Sequence, residues 1–236
     1  MLITMATEIV PAVLPNSLKE LTEHIVKIQG AVKRVQVDIV DGKYAHGKTW
    51  PYHDAGTFEK IVTEEQGLPL WGELNYEFDL MIHNPFERVI DFVHAGASHI
   101  VVHARSPGSV EAVQRLVDLR EDSGAFSVQT GVALMCDAQP EELEPFEAQY
   151  DYVQVMGIAR IGRQGEPFDK RALYLLERLH ARYPKLPLQI DGSVTLEHAY
   201  ALAKAGATRL VVGHDIWNAD DPLDEIKKLQ AEANRV

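Results

Sequence analysis

Three short segments repeat one pattern of residue types: Gln36-Val37-Asp38, Glu77-Phe78-Asp79 and Gln189-Ile190-Asp191. Each is a polar residue, an apolar residue and then aspartate, at the end of a run with strand character. In an extended strand successive side chains alternate between faces, so both polar members of a triplet point the same way. If that face is the inside of a closed sheet, Asp38, Asp79 and Asp191 converge at its mouth. Carboxylates brought together repel and raise one another's pKa, so the cluster needs a cation or a retained proton. Either one suits acid–base chemistry. For any single aspartate, a turn residue bonded to nearby amides is an equally good reading. Three in matching registers are harder to explain that way.

A second group of candidates is backbone. Gly157, the segment Gly162-Arg163-Gln164-Gly165, Gly192-Ser193 and Gly213-His214 follow the later strand-like runs. Amides in such loops can cradle a phosphate, although each glycine alone reads as an ordinary turn. Gly157 to Gln164 follows the outline of a nucleotide P-loop, but Arg163 and Gln164 stand where its lysine and hydroxyl residue belong. His103 closes another run and reads either as a ligand-binding group or as a satisfied core histidine. None of the ten histidines falls in an HExxH-like metal spacing. His24, His94, His180 and His198 fall on predicted helices as surface or packing residues. Cys136 reads as a small buried residue, and Glu141-Glu142-Leu143-Glu144 as a solvated helix face.

The elements that would position these groups alternate along the chain. Strands are expected at Glu8–Val13, Arg34–Val40, Glu73–Met81, His99–His103, Ser127–Leu134, Tyr152–Met156, Leu186–Ile190 and Arg209–Val212. Helices are expected at Ser17–Ile28, Thr57–Thr63, Pro85–His94, Val110–Glu121, Pro140–Phe146, Lys170–Arg182, Thr195–Ala205 and Pro222–Ala233. Asn84 before Pro85 reads as a helix cap, and Gly96 and Gly206 as left-handed helix ends. Strand–helix alternation implies parallel strands and right-handed crossovers. Eight such units in 236 residues predict an α/β fold, a (β/α)8 TIM barrel forming a single domain over residues 1–236. Its active site is expected at the C-terminal ends of the strands, where the three aspartates fall.

Composition narrows the function classes. Lys+Arg 23 against Asp+Glu 35 gives a net charge of −12, which opposes a general nucleic-acid or anionic-membrane binder. A small anionic ligand responds to the local field of a pocket and is not excluded. One cysteine forbids an internal disulfide framework and fits a reducing compartment. The start of the chain lacks a basic signal-peptide region, and no stretch reaches the ~18 apolar residues of a membrane span. A cytoplasmic protein is expected.

At these residues the sequence resembles the ribulose-phosphate 3-epimerase family of phosphate-binding TIM barrels. The similarity runs in family order from Val10-Pro11 to Ile216-Trp217. It includes Val37-Asp38-Ile39-Val40-Asp41-Gly42, Leu80-Met81-Ile82-His83-Asn84-Pro85 with Glu87-Arg88, Ala95-Gly96-Ala97 to Val102-His103, Asp191-Gly192-Ser193-Val194, and Ala205-Gly206-Ala207 through Gly213. The resemblance implies a ketose phosphate as ligand, usually one divalent metal, and two aspartates that remove and return the proton beside the ketone. Asp38 and Asp191 match those two positions. Histidines that the family uses as metal ligands are replaced by Gln36 and Asp79, and a substrate-contacting serine by Ala12. The loop Ile158 to Gln164 lacks the family's proline–glycine-rich sequence. His214 and Asp215 stand where small residues usually line the phosphate.

The expectation is therefore an isomerase, a ketose-phosphate epimerase. Asp38 and Asp191 are its acid and base. Gly157, Gly192, Ser193, Gly213, His214 and His103 bind substrate or phosphate, with Arg160 or Arg163 as a source of charge. Tyr44, His46 and Trp50 lie in a segment, Lys43 to Tyr52, that covers the substrate or packs as a structural loop. Gln36, Asp38, Asp79 and Asp191 form an oxygen-rich metal site suited to Mg²⁺ or Mn²⁺ rather than zinc, or hold no metal. The expected partners are a small phosphorylated sugar and, as in relatives, further copies of the chain. A related sugar-phosphate decarboxylase or lyase requires Asp-x-Lys-x-x-Asp, and Asp38-Ile39-Val40-Asp41 offers no lysine. The reading from another class is a non-catalytic sugar-phosphate binder that has lost metal chemistry.

Overall fold

The computed structural model describes residues 6–123, 127–162 and 165–235. Its strands are β1 (Glu8–Val13), β2 (Arg34–Val40), β3 (Asn75–Met81), β4 (Ala97–His103), β5 (Gln129–Leu134), β6 (Tyr152–Met156), β7 (Leu188–Asp191) and β8 (Arg209–Val212). They pair in parallel, in chain order, and β8 returns to β1 to close a barrel. Around them lie α1 (Leu18–Lys27), α2 (Ala55–Val62), α3 (Val89–His94), α4 (Ser109–Ser123), α5 (Arg171–Arg182), α6 (Leu196–Lys204), α7 (His214–Asn218) and α8 (Pro222–Ala233). This is the (β/α)8 barrel expected from the sequence. Among the described residues, no helix is long and apolar enough to cross a membrane.

Local chemistry explains most boundaries. Ser17 caps α1 by accepting from the Glu20 amide, and Leu18, Leu21 and Ile25 bury one face at helical spacing. Asp221 caps α8 ahead of Pro222 at its first position. Gly96 and Gly206 take φ of 97° and 107°, left-handed conformations that only glycine adopts readily. β3 begins at Asn75 because Glu73 is still in a turn, its amide bonded to Leu70 O at 2.8 Å. β7 begins after Pro187, which has no N–H for the ladder.

Two helix expectations are corrected. Asn84 does not cap a continuous helix. It sits at φ 55° and donates from Nδ2 to Glu87 Oε1 at 2.7 Å, and the segment divides into a 3-10 turn, Pro85–Glu87, and α3. Pro140–Phe146 is a 3-10 helix rather than an α-helix, because Pro145 inside so short a run removes a donor and obstructs the preceding turn. The short helix α7 was not anticipated, since five residues give no readable period.

The alternation of each strand separates two environments. Outward residues such as Val35, Val37, Ile39, Phe78 and Leu80 join the apolar layer beneath the helices. Inward residues of β2, β3, β6 and β7 are largely polar: Gln36, Glu77, Asp79, Gln154 and Gln189 are fully buried. Gln36 stands beside Glu77 and Asp38 beside Asp79 in the ladder, so the triplets stack as layers across strands. Gly131 makes room for the lowest layer, since a Cβ there would meet Tyr152 Cε2 at 2.5 Å. In that layer Tyr152 Oη donates to Glu77 Oε2 at 3.1 Å, and Arg34 and Arg209 approach the same carboxylate at 3.4 and 3.7 Å.

Glu77 is thus the counter-ion of two nearly buried guanidinium groups. Replacing it, Glu77→Ala, leaves both without a buried carboxylate partner and is expected to destabilise the fold by roughly 3–5 kcal/mol. Urea unfolding followed by circular dichroism measures this; a change under about 1 kcal/mol would show that water already compensates the arginines.

Candidate active site

The ends of β2, β3 and β7 bring Asp38, Asp79 and Asp191 together. One carboxylate oxygen from each lies within 4.8 Å of the others. Asp79 and Asp191 are buried, while Asp38 is half-buried at the mouth. Gln36 links two of them: its Nε2 donates to Asp38 Oδ1 at 2.9 Å and to Asp191 Oδ2 at 3.1 Å. Asp79 has its own donors, Gln154 Nε2 at 3.1 Å and His103 Nε2 at 2.9 Å from its two oxygens. Below, Gln189 Nε2 reaches Gln36 Oε1 at 3.2 Å and Gln154 Oε1 at 2.7 Å, tying the amides into one network. Asp41 behaves differently. It accepts the amides of Lys43, Tyr44 and His83 at 2.8–3.0 Å and is a loop staple.

Electrostatics follow from this crowding. Burial, the nearby Asp79 and, to a lesser extent, Glu77 push the Asp38 carboxyl up to about 8, against the opposing hydrogen bond from Gln36. Burial and the charges of Asp38 and Asp79 hold Asp191 well above the ordinary carboxylate range. No lysine or arginine lines the cavity above the triad among the described residues. The donor set can hold a divalent cation: among the described residues three carboxylates converge with no lysine or arginine paired to them, and Asp79 is oriented from behind by His103 and Gln154.

The cavity has a volume of about 340 Å³ and is lined by Asp38, Asp191 and the loops after β6, β7 and β8. Gly157, Gly192, Ser193, Gly213 and His214 all line it or flank it. A Cβ on Gly157 would meet Gly192 O at 2.1 Å, so the β6 exit lies directly on the β7 loop. Gly192 and Ser193 have φ of 107° and 52°, which turns the chain back over the cavity. His103 is not among its described lining residues; 1% exposed, it reaches the site through Asp79. Arg160 points to solvent and pairs with Glu166 at 2.9 Å, while Arg163 and Gln164 lie outside the described residues. In the segment Lys43 to Tyr52, Trp50 is fully buried and donates to Thr57 Oγ1 at 2.7 Å. His46 O would meet a Cβ on Gly162 at 2.6 Å, so this loop and the β6 loop abut over the barrel.

Sequence reasoning missed Gln154, which holds Asp79, and His198, which lines the cavity rather than the helix surface. The signal for Gln154 was its place as the polar centre of β6, in ladder register with Gln189. His198 sits in the first turn of the helix that follows Asp191-Gly192-Ser193.

A raised folded-state pKa means that stability present below the unfolded value, near 4, is lost as pH climbs to the folded value. Chelator-treated protein is therefore expected to melt at progressively lower temperature between about pH 4 and about pH 8. A divalent cation should restore the melting temperature most at the alkaline end, because it binds the deprotonated triad. Thermal melts at several pH values with and without cation test this, and a cation effect independent of pH would contradict it.

Comparison with known proteins agrees with this geometry. A model of the ribulose-phosphate 3 epimerase family matches residues 8–217. The ribulose-phosphate 3-epimerase of Schizosaccharomyces pombe is 27% identical over 83% of this chain and 80% of its own. That of Chlamydia trachomatis is 29% identical over 79% of this chain and 75% of its own. Among solved structures, 3-hexulose-6-phosphate synthase from Salmonella typhimurium aligns over 96% of this chain and 98% of its own, with TM-score 0.66 and 17% identity, a likeness of fold. With the aspartates at the ends of β2, β3 and β7 and the family match spanning almost the whole barrel, the chain belongs to the ribulose-phosphate 3-epimerase family.

Proposed function

We propose that the protein is an epimerase that interconverts ketose phosphates differing at the carbon beside the ketone, with Asp38 and Asp191 as its acid and base. The observation that carries this reading is the pair itself. Two carboxyls joined through Gln36 Nε2 sit at the floor of the cavity, both with raised pKa. Near neutral pH such a pair tends to keep one proton, so one member is a carboxylic acid and the other a carboxylate. Inversion at carbon needs that combination, a base to take the proton from one face and an acid to return one to the other. The relatives are named ribulose-phosphate 3-epimerases, which makes ribulose 5-phosphate the first substrate to test.

Each side chain has a task in this scheme. Asp38 or Asp191 removes the proton, and its partner supplies one to the opposite face. Gln36 keeps the two carboxyls in register from below, and Gln154 and His103 orient Asp79. A cation held by Asp38, Asp79 and Asp191 supplies, when bound, the positive charge that stabilises an enediolate oxygen. Oxygen donors favour Mg²⁺ or Mn²⁺ over zinc, whose sites usually include nitrogen or sulfur. The distal phosphate lies towards Gly192, Ser193, Gly213 and His214, the residues of the β7 and β8 loops that line the cavity.

Ribulose 5-phosphate incubated with the enzyme in heavy water is expected to gain deuterium at the carbon beside the ketone, read by NMR. Asp38→Asn and Asp191→Asn keep shape but lose the titratable group, and each should slow turnover by roughly 10²–10⁴-fold. Binding without exchange across a panel of pentulose and hexulose phosphates would point instead to a non-catalytic binder. Mn²⁺ should bind reversibly and weaken sharply in Asp79→Ala; stoichiometric zinc surviving dialysis would overturn the choice of metal.

A further inference from the structure

Three amides lie among the carboxylates inside the barrel, and their hydrogen bonds have a direction. Gln36, Gln154 and Gln189 are fully buried, so their N–H groups and carbonyl oxygens look for partners within the protein. Above them the aspartates accept: Gln36 Nε2 donates to Asp38 and Asp191, and Gln154 Nε2 to Asp79. Below them Glu77 also accepts. One of its oxygens faces Tyr152, Arg34 and Arg209, and the other takes the N–H of Gln189. Amides placed between two layers of acceptors cannot all point the same way. The direction must reverse at one residue.

That residue is Gln189. It stands beside Gln154 in the ladder and reaches across the barrel from β7 towards β2 and β3. Its Nε2 faces three oxygens, Gln154 Oε1 at 2.7 Å, Gln36 Oε1 at 3.2 Å and Glu77 Oε1, with two hydrogens to share among them. Its own Oε1 is buried and has no hydrogen-bond partner among the described residues. An orphaned carbonyl beside an oversubscribed NH₂ group is the mark of a reversal point. Turned over, this amide would set an oxygen against three oxygens. A primary amide is the neutral side chain that carries two hydrogens on one nitrogen, so it can donate both upward and downward without adding charge.

We propose that Gln189 is a positioning residue, the donor that turns the N–H groups of Gln36 and Gln154 towards the aspartates. With their carbonyls satisfied from position 189, the two amides present N–H to Asp38, Asp191 and Asp79 and hold each carboxyl in its aim. An acceptor at position 189 opposes this arrangement and favours carbonyl oxygens set against carboxylate oxygens. The direction of the hydrogen bonds stands on geometry alone, whereas its effect on turnover rests on the epimerase reading.

The test swaps the two ends of one hydrogen bond, Glu77→Gln with Gln189→Glu. Composition and net charge are unchanged, but position 189 now accepts. Gln189→Met keeps the length of the side chain and supplies neither donor nor acceptor. In ¹³C,¹⁵N-labelled protein, NMR couplings across hydrogen bonds, from amide nitrogen to acceptor carbon, read the direction. The unaltered protein is expected to couple Gln189 Nε2 to Gln154 Cδ and Gln154 Nε2 to Asp79 Cγ. The second coupling should weaken in Gln189→Met and vanish in the swap. With ribulose 5-phosphate, kcat should fall about tenfold in Gln189→Met and about 100-fold in the swap, with KM within about threefold, since neither change touches the cavity lining. A role in packing alone predicts the opposite order, because the swap preserves polarity and charge as well as size. A swap milder than Gln189→Met, or a Gln154–Asp79 coupling unchanged in both variants, overturns the proposal. If the swap does not fold, the coupling in Gln189→Met decides alone. Expected couplings without epimerisation discredit the proposed activity alone, and epimerisation with reversed couplings discredits this inference alone.

Discussion

Everything in this barrel is arranged around a problem of buried charge. Four carboxylates, Asp38, Asp79, Asp191 and Glu77, project inward from β2, β3 and β7, away from bulk water. Moving such groups out of water is costly unless charge and hydrogen bonds compensate. The lower carboxylate, Glu77, meets Arg34, Arg209 and Tyr152. The upper three meet amide groups, one imidazole and one another. The positive charge therefore lies at the bottom of the barrel and the uncompensated negative charge at its mouth.

The amides between these layers have a separate role. Gln36, Gln154 and Gln189 are uncharged, yet they connect Glu77 to the triad through direct hydrogen bonds. An apolar layer at this height would leave the carboxylates above it without donors from below. An arginine there would lower the carboxyl pKa values and leave the proposed acid–base pair fully ionised. Glutamine satisfies oxygen lone pairs without neutralising them. His103 acts similarly on Asp79, bonding one oxygen and leaving the carboxylate aimed at its neighbours.

Much of this was legible in sequence because strand geometry has a period of two. The triplets at Gln36, Glu77 and Gln189 announced both the inward face and the converging aspartates. Parallel topology followed from alternation of strand and helix, and β1, β2, β6, β8 and α8 have the boundaries read from sequence. The misses have a common cause: they depend on contacts between segments distant in the chain. Of the two sequence readings of His103, ligand-binding group or satisfied core histidine, its Nε2 contact with Asp79 on the neighbouring strand favours the second. His198 reads as a helix-surface residue until Phe168 and the Ser193 carbonyl turn it into the cavity. Of the two readings of the segment Lys43 to Tyr52, substrate cover or aromatic-packed loop, burial of Trp50 against α2 favours the second.

Gln36 and Asp79 stand where the family resemblance implies imidazole ligands, which changes the balance of the site without removing its logic. A neutral imidazole binds a cation through a lone pair and adds little repulsion when the cation leaves. A carboxylate adds attraction when the cation is present and repulsion when it is absent. With three aspartates within 4.8 Å, the metal-free state is penalised, and protons take up part of the penalty. Burial first and mutual repulsion second raise the pKa of Asp38 and Asp191, and a cation at the triad would relieve the repulsive part. Proton and cation would compete for one site, and the proposed acid–base pair stands at the point where that competition would occur.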